Sequence, residues 1–207
     1  MTENIEQIAK RTQRYYFEDG FWEICIGVLY LLIAGVVGLW TILPKDSPWM
    51  LVVTLGLPVL ILAGSGAIKG VLNTFKQRIT YPRTGYVTFS RRSAARGNWV
   101  TLGIGFLGAL VIVFTNRWVG RITVIEGLVL AIGYIVAGWR MGLVRFYLVA
   151  LLTLIAGLVA AWLGLQDSSG IAAIFSVMGT ATLICGLVTL RDYLRQNPAP
   201  IGGDDEQ

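Results

Sequence analysis

The segment FWEICIGVLYLLIAGVVGLWTIL (residues 21–43) decides how the rest of the chain is read. Only one of its 23 residues, Glu23, is charged, and it stands third. The apolar side chains form a block rather than an amphipathic stripe. About 20 residues at 1.5 Å rise cross the ~30 Å of hydrocarbon in a bilayer, so a block of this length reads as a transmembrane helix. Inside lipid every backbone N–H and C=O must be paired within the protein, which makes a continuous helix the default. A β-barrel would need alternating polarity along the chain, and this block does not alternate.

Five further blocks repeat the pattern, at 48–71, 99–114, 124–141, 143–165 and 170–190. The expected fold is therefore all-α, with six transmembrane helices in one bundle. The composition agrees. Of 207 residues 55% are hydrophobic and 14% charged, against about 25% charged in a soluble domain, and mean hydropathy is +0.67. The two cysteines, Cys25 and Cys185, lie inside apolar blocks without a CxxC spacing and read as small buried side chains. The first twenty residues are polar and the first block is long enough to span, so a cleavable signal peptide is not expected.

Tryptophan supports these boundaries. Trp22, Trp40, Trp49, Trp99, Trp118, Trp139 and Trp162 all fall near the ends of blocks. Indole joins an apolar body to one N–H and prefers the headgroup level. The basic residues set the orientation. With the N-terminus inside, the cytoplasmic face holds fourteen Lys and Arg, and the outer face only Lys45, Arg117 and Arg121. The positive-inside rule then places both termini in the cytoplasm. The net charge of +5 is explained by topology, and no nucleic-acid-binding motif accompanies it. The chain divides into a cytoplasmic interfacial segment (1–20), a transmembrane domain (21–190) with a basic loop (72–98), and a polar tail (191–207).

Helix starts are marked by caps. Ser47 precedes Pro48 at the first helical position. Asn98 stands before the third block. Thr123 and Glu126 form a capping-box pattern, and Glu23 holds the same third position behind Asp19 and Gly20. The polar stretch QDSSG (166–170) precedes the sixth block. Glu23 and Glu126 are the only acidic residues that fall within the blocks. An intramembrane carboxylate is by default a proton or cation site, yet both stand in a first helical turn, where the dipole and free N–H groups favour an anion. Pro58 lies deeper, removes one backbone hydrogen bond, frees the carbonyl of Thr54 and is expected to kink its helix.

Small residues recur at four-residue spacing: Ala156, Ala160 and Gly164; Gly133 and Ala137; Ala172, Ser176 and Thr180; and the run from Gly64 to Gly70. Such faces let helices approach closely, in a monomer or in a homo-oligomer. The stretch YLLIAGVVGL (30–39) also resembles YIVAGWRMGL (134–143), each a few residues after a glutamate. Two three-helix halves would then form an inverted 3+3 repeat. Shared Leu, Gly and Ala composition is the competing explanation.

Residues 3–17 place Ile5, Ile8, Tyr15 and Tyr16 among Lys10, Arg11 and Arg14, as a short interfacial helix or a solvated terminus would. The loop KQRITYPRTGYVTFSRRSAARGN (76–98) holds six basic and no acidic residues. ITY and YVTF around PRTG suggest a small β-hairpin, with Gly85 at positive φ. Lys76, Arg78, Tyr81, Arg83, Tyr86, Arg91, Arg92 and Arg96 are the candidates for contact with anionic lipid headgroups or with a membrane-complex partner.

The motifs RYYFEDGFWEICIG (14–27), RITYPRTGYV (78–87) and GLVRFY (142–147) resemble a group of bacterial polytopic integral membrane proteins with no established activity. That resemblance spans most of the chain and implies a bacterial inner membrane. It carries over no catalytic or ligand residue.

Enzymatic chemistry finds little to work with. The chain has no histidine, so His-ligated haem, HExxH zinc sites and imidazole triads are absent. There is no P-loop and no dinucleotide fingerprint. The TGYV at 84–87 falls among basic residues on the inner side, unlike a potassium filter. No cofactor, metal or catalytic residue is expected. The reading is a non-enzymatic scaffold or accessory subunit. Its rival is a small transporter or channel using Glu23, Thr54, Pro58 and Glu126. A hydrated cavity reaching mid-bilayer would distinguish them.

Overall fold

In the computed structural model the described residues are 17, 19–44, 46–80, 122–165 and 167–198. They form five α-helices: α1 (Phe21–Ile42), α2 (Pro48–Phe75), α3 (Ile122–Met141), α4 (Val144–Trp162) and α5 (Asp167–Gln196). A π-helical turn, Lys76–Thr80, continues α2. No strand occurs among the described residues. The interfacial segment 3–16, the rest of the expected hairpin from Tyr81 on and the third block, 99–114, lie outside them; Ile79 and Thr80, expected in the hairpin's first strand, are in the π-helical turn instead.

Each helix is long and apolar enough to cross a membrane. Their outward faces carry Leu51, Leu55 and Leu62 on α2, Val144, Leu148 and Leu151 on α4, and Leu187 and Val188 on α5, all exposed. In water so large an apolar surface would drive aggregation; against lipid it costs nothing. Trp49, Trp139 and Trp162 are exposed at helix ends, the level an indole prefers. The described residues are all-helical, and the chain is a multi-pass membrane protein.

α1 and α5 are antiparallel and share the largest interface; α3 and α4 form the next. α1 also packs on α2, and α4 on α5. Two ends result. At the proximal end α1 and α4 begin and α2, α3 and α5 finish. At the distal end these roles reverse, and Thr123 of α3 donates to the carbonyl of Leu165 at 3.0 Å. The core between α3, α4 and α5 holds Ala131, Tyr134, Phe146, Val149, Met178 and Ala181. A second cluster, Leu29, Ile33 and Val37, joins α1 to Leu57, Leu60 and Ile68 of α2 and to Ile171 of α5.

The close approaches are made by glycines: of the expected ones Gly64 takes part, where a Cβ would stand 2.6 Å from Leu29 Cδ1, but most of the others were not anticipated. A Cβ on Gly27 would stand 2.7 Å from the Leu183 nitrogen, and one on Gly186 2.8 Å from the Ile24 nitrogen. A Cβ on Gly127 would stand 2.9 Å from the Gly157 Cα. Of the anticipated small-residue faces, Ala160 is buried and Ala137 and Ala172 pack against the core, whereas Gly133 has open space around it, Ser176 and Thr180 are exposed, and Gly164 is a left-handed turn residue at φ 70°. The α1–α5 seam is instead built from Gly20 and Gly27 facing Gly186 and Gly179, seven residues apart on each helix. That interval keeps small residues on one side of a gently supercoiled pair.

Other local expectations shift by a turn. Ser47 caps α2, accepting from Trp49 N at 3.3 Å. Thr123 is not a cap: α3 starts one residue earlier, and the Thr123 hydroxyl is spent on Leu165. α2 runs through Pro58 to Phe75 as one helix, four residues past its expected end. α5 continues six residues beyond 190, to Gln196.

Overpacking the helix seams should separate them. Gly27→Leu and Gly157→Leu are each expected to destabilise the protein by about 1–3 kcal/mol or more. Gly133→Leu, facing open space, should be near neutral. Thermal unfolding of the three variants in detergent checks this.

Candidate functional site: a buried charge cluster at the proximal end

Gly20 opens α1 in a left-handed conformation, φ 71°, that favours glycine. The turn presses the preceding Asp19 into the bundle, where its Oδ1 accepts from the Phe21 amide at 3.3 Å. Glu23 follows in the first turn of α1. Both carboxylates are enclosed, Asp19 at 1% exposure and Glu23 at 0%. Each meets a base from another helix. Lys76, at the end of α2 and 2% exposed, brings Nζ to 3.2 Å from Asp19 Oδ2. Arg145, in the first turn of α4, pairs with Glu23 Oε1.

The guanidinium of Arg145 reaches further. One nitrogen donates to Thr189 Oγ1 of α5 at 3.1 Å, another to the carbonyl of Phe17. Thr189 in turn donates to Cys185 O at 2.7 Å. Below the guanidinium lies the Phe146 ring, 6.0 Å from Cζ to centroid. Trp22 stands edge-on to Phe146 and Phe17 edge-on to Trp22. Two acids and two bases make the cluster neutral, and it ties together α1, α2, α4, α5 and the segment before α1.

Helix dipoles explain part of the placement. Glu23 at a helix start and Lys76 near a helix end are favoured; Arg145 at a helix start is not. Its position is held by Glu23, Thr189 and Phe17. Breaking one partner of such a buried pair costs about 3–5 kcal/mol because it strands the other charge.

A second polar layer lies deeper. The Tyr134 hydroxyl is 2.9 Å from Thr182 Oγ1, and Thr182 donates to Met178 O at 2.7 Å. The Tyr30 phenol comes up beside that of Tyr134 and stacks edge-on with Phe175. Thr153 back-bonds to Val149 O at 2.8 Å. These groups satisfy one another within the packed core.

The residues singled out in the sequence are dispersed. Glu23 joins the proximal cluster, whereas Glu126 is buried near the distal end of α3. Thr54 and Pro58 face outward on α2, and the Thr54 hydroxyl donates to Met50 O at 2.7 Å. The four transport candidates therefore do not form one site. Lys76, expected at the lipid surface, is turned inward and ion-paired, so it offers no charge to headgroups. Arg78 is exposed. Tyr81, Arg83, Tyr86, Arg91, Arg92 and Arg96 lie outside the described residues. Among the described residues, grooves on the bundle surface include one of about 390 Å³ on α5 and one of about 360 Å³ between α4 and α5. Neither is lined by Glu23, Thr54 or Glu126.

Asp19, Arg145 and Thr189 had no role in the sequence reading except as a helix-start mark, a topology charge and an apolar-block residue. A signal was present: Asp19 and Glu23 lie in RYYFEDGFWEICIG, Arg145 lies in GLVRFY, and Lys76 stands two residues before RITYPRTGYV. Stretches far apart in the chain meet at one point. Comparison of the chain with protein-family models, with curated proteins and with solved structures yields no match.

Arg145→Gln should lower stability by about 3–5 kcal/mol by stranding Glu23. Glu23→Gln in the same chain should recover part of that loss. A double-mutant cycle on thermal unfolding in detergent checks the coupling; additive effects would mean that the two residues do not act as a pair.

Proposed function

We propose that the protein is a non-enzymatic scaffold or accessory subunit of a bacterial inner membrane, its basic inner face engaging anionic lipid or a membrane partner. The observation that carries this reading is the interior. Among the described residues the buried charges at the proximal end are ion-paired, Lys76 with Asp19 and Arg145 with Glu23, Tyr134 meets Thr182 mid-bundle, and the two grooves described above lie on the outside. A carrier would instead direct such groups toward a hydrated path. The resemblance of the three sequence motifs to bacterial polytopic proteins supports the choice of membrane.

In this proposal the proximal end is cytoplasmic and both termini lie there, as the distribution of Lys and Arg requires. Six spans fit the helix directions. α2 finishes at the proximal end and α3 begins at the distal end, so an odd number of crossings must come between them, and the apolar block 99–114 is the segment to supply one. The interfacial helix over 3–17 and the hairpin around PRTG belong to the same proposal.

One observation favours the rival reading. α1–α2 and α3–α4 are both antiparallel pairs with a buried glutamate near the start, and Tyr30 and Tyr134, equivalent in the match of 30–39 to 134–143, meet in the core. Residues related by a two-fold axis touch where the axis passes, so this contact supports the inverted repeat found in many transporters.

Three measurements test these readings. In a Cys25→Ala/Cys185→Ala background, Arg140→Cys and Arg195→Cys should react with an impermeant thiol reagent only in inverted vesicles, and Asp46→Cys only in right-side-out ones; the opposite pattern overturns the orientation. Purification from native membranes should retain a stoichiometric partner or bound anionic lipid. Solute or ion flux in reconstituted vesicles that is lost in Glu23→Gln or Glu126→Gln would establish the transporter instead.

A further inference from the structure

α5 is too long for the membrane it crosses. Its 30 residues extend about 45 Å, against about 30 Å of hydrocarbon. Thr189 stands level with Arg145 in the proximal cluster, so the last two turns of α5 run past the starts of α1 and α4. There Leu187, Leu190, Arg191, Leu194 and Arg195 line the groove of about 390 Å³. Their spacing places all five on one face of the helix.

The groove has two chemical levels. Leu187 and Leu190 lie on the membrane side, and Arg191 and Arg195 one and two turns beyond. Both guanidiniums are exposed, and neither takes part in an ion pair among the described residues. Lys76 and Arg145, at the same end, have their charges neutralised by Asp19 and Glu23. Exposed basic residues at this end of the described bundle are Lys69 and Arg78 on α2 and its π-turn, Arg140 on α3, and Arg191 and Arg195 on α5; the α5 arginines stand one turn apart beside the groove, with the exposed Asp192 between them in sequence. A guanidinium presents a planar fork of donors that matches phosphate oxygens. Arginines at i and i+4 can share one phosphate.

We propose that this groove is a binding site for an anionic phospholipid, with the phosphate between Arg191 and Arg195 and the first part of an acyl chain along Leu187, Leu190 and Leu194. The site rests on the reading of the proximal end as the basic inner face and makes it specific. The leucine floor points to a lipid over a free phosphate, which has no use for apolar contact. The second groove, along Leu152, Val177 and Ile184, carries no charged residue and so lacks the headgroup half of such a site.

The test compares lipid retention by the intact protein in nanodiscs of phosphatidylcholine doped with phosphatidylglycerol, read by native mass spectrometry after release. Arg191→Gln/Arg195→Gln should lower phosphatidylglycerol retention about tenfold, since each basic residue near the surface contributes appreciably to anionic-lipid binding. Arg140→Gln, which removes charge from the same end, should lower it little. Leu187→Ser should weaken retention with both arginines intact. Equal losses in Arg140→Gln and in the α5 variant would overturn the site while leaving a diffuse basic face. No loss in any variant would overturn both. Competition by inorganic phosphate at concentrations that leave other lipid bound would overturn the lipid assignment.

Discussion

A charge that has left water must find its opposite, and in a membrane it must find it inside the protein. Asp19, Glu23, Lys76 and Arg145 obey this constraint at the proximal end, and the surrounding structure follows from it. The left-handed turn at Gly20 drives Asp19 inward; the π-turn after Phe75 carries Lys76 to it. Arg145 sits at a helix start, against the dipole, because Glu23, Thr189 and the Phe17 carbonyl together outweigh that cost. Four helices are registered by these contacts. Polar groups that specify a unique arrangement are the best-attested reason for retaining buried ion pairs.

Registration alone does not hold helices together in lipid, where apolar side chains gain little by meeting one another. Dispersion between closely approached backbones must do it. The α1–α5 and α3–α4 seams achieve that approach through Gly20, Gly27, Gly179 and Gly186 in one case and Gly127 and Gly157 in the other. The polar cluster and the glycine seams are complementary: one selects which helices meet and at what height, the other brings them into contact. Tyr134, Thr182 and Met178 O add a satisfied polar layer between them.

This arrangement bears on function through what it leaves over. Charges locked in the core cannot serve lipid, partner or solute, so the surface must supply any recognition. In the lipid-site proposal the end of α5 does so, where Arg191 and Arg195 stand beside Leu187, Leu190 and Leu194. The same economy separates Glu23 from Glu126: the first is neutralised at one end of the bundle while the second lies near the other.

The sequence by itself determined the membrane class, the helical state and the approximate position of five described helices, because hydrocarbon imposes a length and a backbone-pairing rule that composition reveals directly. It also determined that Ser47 starts α2 and that tryptophans mark the ends. The C-terminal ends of α2 and α5 were less legible, since apolar blocks fade into polar helix without a stop signal, as Leu72–Phe75 and Arg191–Gln196 do. Only the tertiary structure decided that Lys76 faces inward, that Arg145 answers Glu23, and that Gly27 rather than Gly133 is a contact. The reason is physical. A charge or a glycine acquires its role from the atoms opposite it, and those atoms lie on helices more than 160 residues away along the chain, as Thr189 does from Gly20 and Gly186 from Ile24.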